Sequence, residues 1–264
     1  MLNQNGQTIR VGAQVITWDG HVREQMPRIL AFLHDEGYEG VEIGMRHFDL
    51  GRPNEYRELL ARHELQLVAA HSGGTFWNKE QADAEMANIE QAIRFAASIG
   101  SRYFALSGNK QETVETMQVT AGAYNRIGGL CREAGLQLAY HNHNWEFARE
   151  GALFQSLLDH TDPDLVRLVP DIAWLHRAGL DPAQFLERHN QRIAYVHLKD
   201  THADRFCELG QGSVNVDSVL ARLSALEADW CVVEQDTTDT TPERSLAVSA
   251  EYLRNKGLLS CPKY

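Results

Sequence analysis

"CREAGLQLAYHNHNWEF", residues 131–147, carries the signal on which the fold turns. A helical segment closes on Gly135, and apolar residues resume at once with the alternation of a strand. That strand runs out into His141, Asn142 and His143, then Trp145 and Glu146. The same grammar appears at "DEG" and "ASIG", where a helical segment again stops on glycine just before an apolar run.

Outward from this stretch, strand-like runs fall at 9–18, 40–44, 65–73, 101–108, 136–143, 166–173, 193–200 and 230–236. Amphipathic segments such as "REQMPRILAFLHDEG" and "PERSLAVSAEYLRNKG" separate them. Strict alternation of strand and helix predicts parallel strands joined by right-handed crossovers. Eight such units in 264 residues predict an α/β fold, a single (β/α)₈ TIM barrel domain over residues 1–264. The first turn, "TWDGHVRE", lacks the glycines of a dinucleotide-binding open sheet, and no linker-like tract divides the chain.

The formal charge of −11 opposes phosphate backbones, so nucleic acid is not an expected partner. No apolar run reaches membrane-spanning length, and "MLNQNGQTIR" lacks the basic and apolar regions of a secretory signal. Cys131, Cys207, Cys231 and Cys261 are scattered without framework spacing, which suits packing in a reducing cytoplasm. A cytoplasmic location is therefore expected, and homo-oligomerisation is left open.

Strand parity locates the chemistry. In "IAYVHLKD" (193–200), Ala194, Val196 and Leu198 share one face, and Tyr195, His197 and Lys199 the other. The apolar face must meet the helices, so His197 and Lys199 point into the barrel. The same parity turns Asp171, Glu234 and Glu42 inward, brings His71 to the end of the third strand, and sets His141 and His143 on one face of the fifth. Barrel active sites are built at this C-terminal end. Converging carboxylates raise one another's pKa unless a cation lies between them. Carboxylates with imidazole and no thiolate suit a divalent metal, Mn²⁺ first, or Mg²⁺, Co²⁺ or Zn²⁺. Asp171, His197 and Glu234 are the first ligand candidates.

The stretches "YHNHNWEF", "PDIAWLHRAGLDP", "RIAYVHLKD", "ELGQGSVNVDSVL" and "WCVVEQD" together resemble the xylose-isomerase-like sugar isomerase/epimerase superfamily. "RIAYVHLKD" and "VVEQD" resemble its inosose dehydratase branch most. The resemblance implies one metal held by Glu, Asp, His and Glu from the fifth to the eighth strands. Asp171, His197 and Glu234 match three of these. The first Glu aligns with His141, and the nearest carboxylate is Glu146. Glu146 is the expected fourth ligand, with His141 or His143 as the competing choice.

The resemblance further implies a small-molecule carbohydrate substrate with a carbonyl beside a hydroxyl-bearing carbon. A divalent cation chelating both oxygens acidifies the C–H and stabilises the enediolate. Glu234 and Glu146 would act as bases on opposite faces, His143 is the next candidate, and Lys199 would add positive charge. Return of the proton makes the protein a sugar isomerase or epimerase, the first expectation. The alternative is a lyase, expelling a β-oxygen from an inosose or a 3-keto-glycoside with His176 as general acid. Glu42, His71 and His141 are candidates for substrate hydroxyls, and Trp18 and Trp174 for stacking on a sugar face. Phosphorylated substrates are disfavoured because the later strand ends show no Arg/Lys cluster beyond Lys199 and Arg205. "LGQGSVN" (209–215) reads as a flexible loop. Two further readings are an endonuclease IV-like repair enzyme, which the acidic charge opposes, and a non-catalytic sugar-binding barrel.

Overall fold

The computed structural model describes residues 1–262. Its barrel strands are β1 (Arg10–Gln14), β2 (Gly40–Gly44), β3 (Gln66–Gly74), β4 (Tyr103–Gly108), β5 (Gln137–His141), β6 (Val166–Val169) and β7 (Val196–Leu198). A short hairpin of β8 (Asp200–His202) and β9 (Arg205–Cys207) follows, then the last barrel strand, β10 (Trp230–Val233). The helices are α1 (Val22–Asp35), α2 (Pro53–Arg62), α3 (Lys79–Ser98), α4 (Val114–Glu133), α5 (Ala148–His160), α6 (Ile172–Arg177), α7 (Pro182–Arg188), α8 (Val216–Leu223) and α9 (Pro242–Asn255). The expected (β/α)₈ barrel is the fold, and glycines at positive φ (Gly37, Gly100 and Gly135) close the turns before β2, β4 and β5.

The eight barrel strands run in the order β6-β5-β4-β3-β2-β1-β10-β7, and each neighbouring pair is parallel. The ring closes between β7 and β6 through two isolated bridges, Leu168 with Ile193 and Asp171 with His197. Two backbone bonds join this seam: Ala194 N–H to the Leu168 carbonyl at 2.8 Å and His197 N–H to the Pro170 carbonyl at 2.9 Å. Pro170 has no N–H to give, so the ladder is thinner here than elsewhere in the barrel.

Inside the barrel, small residues (Ala69, Ala105, Ala139) alternate with the rings of Tyr103, Tyr195 and Trp230 to fill the floor. Gly40 makes room for Trp230: a Cβ there would lie 2.7 Å from the indole and 2.6 Å from Val68. Outside, the apolar faces of the helices cover the opposite faces of the strands; Leu138 and Tyr140 of β5 pack there, as parity requires. The polar residues are stacked above the floor at the C-terminal mouth.

Two local outcomes differ from expectation. β1 ends at Gln14 rather than reaching residue 18, because the Gln14 side-chain oxygen takes the Ile16 N–H and residues 16–21 coil into a 3₁₀ turn with Asp19 at φ +46°. Trp18 is thereby swung into the helix-side core against Phe32, ring centres 6.1 Å apart, and away from the barrel mouth. The "LGQGSVN" segment is also no loose loop. The buried Asp200 carboxylate accepts N–H bonds from Thr201, Gly210, Gly212 and Val214 at 2.8–3.0 Å. A Cβ at Gly212 would sit 2.1 Å from Asp200 Oδ1, so glycine is the residue that lets the loop wrap this charge.

Candidate metal centre and active site

Four buried side chains from consecutive strand ends each turn one atom to a common point. These are His141 at the end of β5, Asp171 after β6, His197 in β7 and Glu234 after β10, and one ligand atom from each lies within 4.8 Å of the others. The atoms that face inward, His141 Nε2, Asp171 Oδ2, His197 Nδ1 and Glu234 Oε2, make no well-formed hydrogen bond and crowd on one another instead, with His197 Nδ1 2.5 Å from Glu234 Oε2 and His141 Nε2 3.4 Å from Asp171 Oδ2. Two buried carboxylate oxygens and two imidazole nitrogens converging on one point are costly unless a cation or protons lie between them. The set fits a divalent metal by this measure.

The second polar atom of every ligand is held elsewhere, which fixes its orientation. Asp171 Oδ1 caps α6, accepting the N–H groups of Ala173 and Trp174, both at 2.9 Å. Asn142, whose role parity leaves open, accepts the Asp171 N–H at 3.0 Å. Glu234 Oε1 accepts from Lys199 at 3.0 Å. The two histidines trace back to one residue, Glu42. Its Oε2 lies 2.9 Å from His197 Nε2 and accepts the Tyr195 hydroxyl at 2.6 Å. Its Oε1 lies 2.7 Å from His71 Nδ1, His71 Nε2 lies 2.6 Å from Ser107 Oγ, and Ser107 Oγ lies 3.5 Å from His141 Nδ1.

With Glu42 ionised, the hydrogens along this chain have one consistent arrangement. His197 donates from Nε2, and its Nδ1, 2.5 Å from Glu234 Oε2, carries a second proton whose place a bound cation would take. His71 donates from Nδ1 to Glu42 and accepts the Ser107 hydroxyl on Nε2. Ser107 then accepts from His141 Nδ1, leaving the His141 Nε2 lone pair aimed at the metal point.

The electrostatics agree. Burial opposes ionisation of Glu42, but His197 and His71 outweigh it and hold its carboxyl well below the usual range. Burial likewise drives His141 down to about 4, so its imidazole is neutral and able to ligate. Burial opposes a charge on His197 as well, yet Glu42 and Glu234 together push it up to about 10. A second positive charge is thus demanded between Glu42 and Glu234, and a metal ion or a proton supplies it.

Several expected residues lie elsewhere. Glu146 is not in the ligand group: fully buried, it accepts the Tyr140 hydroxyl at 2.6 Å and the His143 N–H at 3.0 Å. That capture ends β5 at His141 and curls the chain back; His141, the aligned position, stands where Glu146 was expected. Glu42 is also fully buried and spent on its three donors, so it does not face substrate. His176 lies half-buried on α6, since Asp171 starts that helix at once, and it does not line the cavity; nor does Trp18.

The remaining expectations converge on a cavity of about 340 Å³ at the mouth, lined by His71, His141, His143, Trp174 and Glu234 among others. His143 is partly exposed, with Nδ1 3.9 Å from Glu146 Oε1. Burial lowers its affinity for a proton, but Glu146 reverses the balance and leaves it above its ordinary value. Lys199 lies fully buried behind the ligands, 3.3 Å from Asp171 Oδ2, 3.0 Å from Glu234 and 2.8 Å from Asp236, with Phe206 of the hairpin 4.4 Å beneath its Nζ.

Sequence reasoning missed Gln14, Arg46, His47, Ser107 and Asp236, all in the cavity wall. The signal for Asp236 was present: it lies two residues beyond Glu234 and so shares its parity. Arg46 and His47 directly follow β2, in a 3₁₀ turn that strand alternation does not describe.

Comparison with known proteins follows the same lines. A family model described as xylose isomerase-like TIM barrel matches residues 30–256. Inosose dehydratase of Geobacillus kaustophilus is 23% identical over 292 aligned positions, covering 92% of this chain and 93% of that protein. Among solved structures, a sugar phosphate isomerase/epimerase from Parabacteroides distasonis superposes with a TM-score of 0.80 at 22% identity, covering 95% of each chain. The IOLI protein, solved with a bound zinc atom, gives 0.77 at 15% identity over 95% of this chain and 99% of its own. At these identities the structural likenesses show the fold alone.

Proposed function

Because the chain belongs to the xylose isomerase-like TIM barrel family, we propose that it is a divalent-metal-dependent enzyme acting on a ketosugar or cyclic polyol-ketone. It removes the proton beside the carbonyl and then expels a β-hydroxyl, as a carbon–oxygen lyase. The observation that carries the first part is the convergence of four buried ligand atoms on one point beside the mouth cavity, whose wall His141 and Glu234 share. The lyase outcome is favoured over isomerisation or epimerisation by the relatives of comparable length named inosose dehydratase.

His141, Asp171, His197 and Glu234 would hold the metal, and Asn142, Lys199 and Glu42 keep them in place. When bound, the ion supplies Lewis-acid polarisation of the substrate carbonyl and hydroxyl oxygens. Two imidazoles and two carboxylates suit Mn²⁺, Co²⁺ or Zn²⁺ better than Mg²⁺. His143 is the residue placed to take the proton: it reaches the cavity, and Glu146 behind Nδ1 stabilises the imidazolium that results. Asp236, opposite on the β10 end, is raised to about 6 by burial first and by Glu234 and Asp171, with Lys199 opposing. Such a carboxyl can deliver a proton to a departing hydroxyl near neutrality. Trp174 forms an apolar wall against which a sugar face can lie.

The test is incubation of Mn²⁺-loaded protein with an inosose, a free ketosugar and a 3-keto-glycoside in D₂O, followed by NMR. Exchange of the C–H beside the ketone together with loss of a β-substituent is the expected result. Exchange with the substrate skeleton intact would replace the lyase by an isomerase or epimerase. Absence of exchange on all three would remove the proton-abstraction mechanism.

A further inference from the structure

Opposite the metal ligands, the turn after β2 lines the cavity with Gly44, Arg46 and His47. From this wall we infer an anion-binding subsite, in which Arg46 and His47 receive a carboxylate or phosphate carried by the substrate at the end away from its ketone. The inference rests on the site being the sugar-binding cavity proposed above, and adds to it the charge of the substrate.

Three observations carry it. His47 is 5% exposed, yet its Nε2 is a buried atom without a partner at the edge of an open cavity. A buried ring nitrogen left unsatisfied in a cavity wall marks a place where a ligand atom completes the bonding. Second, Arg46 and His47 converge. The point a Cβ would occupy on Gly44 is 3.5 Å from Arg46 Nη1 and 3.6 Å from His47 Nε2, so one oxygen in the cavity above Gly44 lies within reach of both. The missing side chain of Gly44 is what leaves that space open.

Third, the charge here is uncompensated. Among the described residues Arg46 has no carboxylate partner, whereas the ammonium of Lys199 faces three. Arg23 adds a second guanidinium behind the turn, donating to the carbonyls of Arg46, His47 and Phe48 at 3.0, 3.2 and 2.8 Å. It pins the turn and leaves its charge unneutralised. Burial first, then Arg46 and Arg23, push His47 down to about 4 against the single opposing acid, Asp19. His47 is therefore a neutral imidazole beside a fixed cation, and the tautomer protonated on Nε2 turns an N–H to the same oxygen. A guanidinium with an adjacent N–H donor is the arrangement that binds oxyanions in preference to hydroxyls.

The experiment compares three probes with the same ketone end: D-fructose, D-fructuronate and D-fructose 6-phosphate. Calorimetric affinities are measured on Mn²⁺-loaded wild type, Arg46→Gln and His47→Gln, with thermal melting of each variant to confirm folding. The wild type is expected to bind at least one anionic probe tenfold or more tightly than fructose. Arg46→Gln should cut that ratio about tenfold, and His47→Gln, which keeps an N–H donor, should cut it less. The better of fructuronate and fructose 6-phosphate separates carboxylate from phosphate. Equal affinities, no binding by any probe, or a preference that survives Arg46→Gln each overturn the subsite. Deuterium exchange on the same samples separates the two claims. Exchange without charge preference removes the subsite alone, and charge preference without exchange removes the chemistry alone.

Discussion

At the scale of single residues, Glu42 has the widest reach. Its two oxygens decide where the hydrogens sit on His197 directly and on His141 through His71 and Ser107. Glu42→Gln puts an amide N–H where an acceptor is needed and unsettles both imidazoles. We expect metal affinity to fall roughly 10–100-fold, read by competition with a metallochromic chelator. His143→Gln should leave the bound metal in place and lower kcat roughly 10²–10⁴-fold, read as the rate of C–H exchange with metal content measured on the same sample. Asp171→Ala should abolish metal binding, whereas Glu146→Ala should retain the metal and lose activity, because it releases the His143 segment. A Glu146→Ala protein that no longer holds metal would restore Glu146 as the ligand.

At the scale of elements, strand parity carried one or two residues past the strand end is enough to say which way Asp171, His197, Lys199 and Glu234 point. Position farther into the turn, as with Glu146 five residues past β5, is not readable in the same way. Glu146 lies in a turn, and its direction is decided by Tyr140 and the His143 N–H, contacts that alternation does not encode. Trp18 was misplaced for the same reason, since a side-chain bond from Gln14 ends β1 early. The eight strands were legible because helix-ending glycines and apolar runs repeat; the β8–β9 hairpin was not, because its three-residue strands are too short to show a period. Backbone spacing yields its own prediction. Gly40→Ala drives a methyl group into Trp230 and Val68, and should cost about 1–3 kcal/mol, measured by urea unfolding. Gly212→Ala should destabilise comparably by displacing the Asp200 carboxylate from its four N–H partners.

At the scale of the molecule, the acidic surface and the metal-ready mouth are separate features. Most of the −11 charge has no part in the site. Among the described residues no helix is long and apolar enough to cross a membrane. Metal uptake should be linked to pH. His197, holding its extra proton up to about 10, must give it up to ligate, so affinity rises with pH through neutrality and falls as acid returns the proton. Titrations in buffers of different ionisation enthalpy should show about one proton released per ion near pH 7.

The seam between β6 and β7 is where these scales meet. Asp171 and His197 stand on opposite sides of it and turn ligand atoms to the same point. An ion bound there would be a clasp as well as a reagent, riveting shut the joint at which the barrel has fewest backbone bonds. Stripping it should let the staves part there first. The amides of Ala194 and His197 should then exchange with solvent sooner than those of the continuous β3–β4 ladder, in a molecule otherwise still folded.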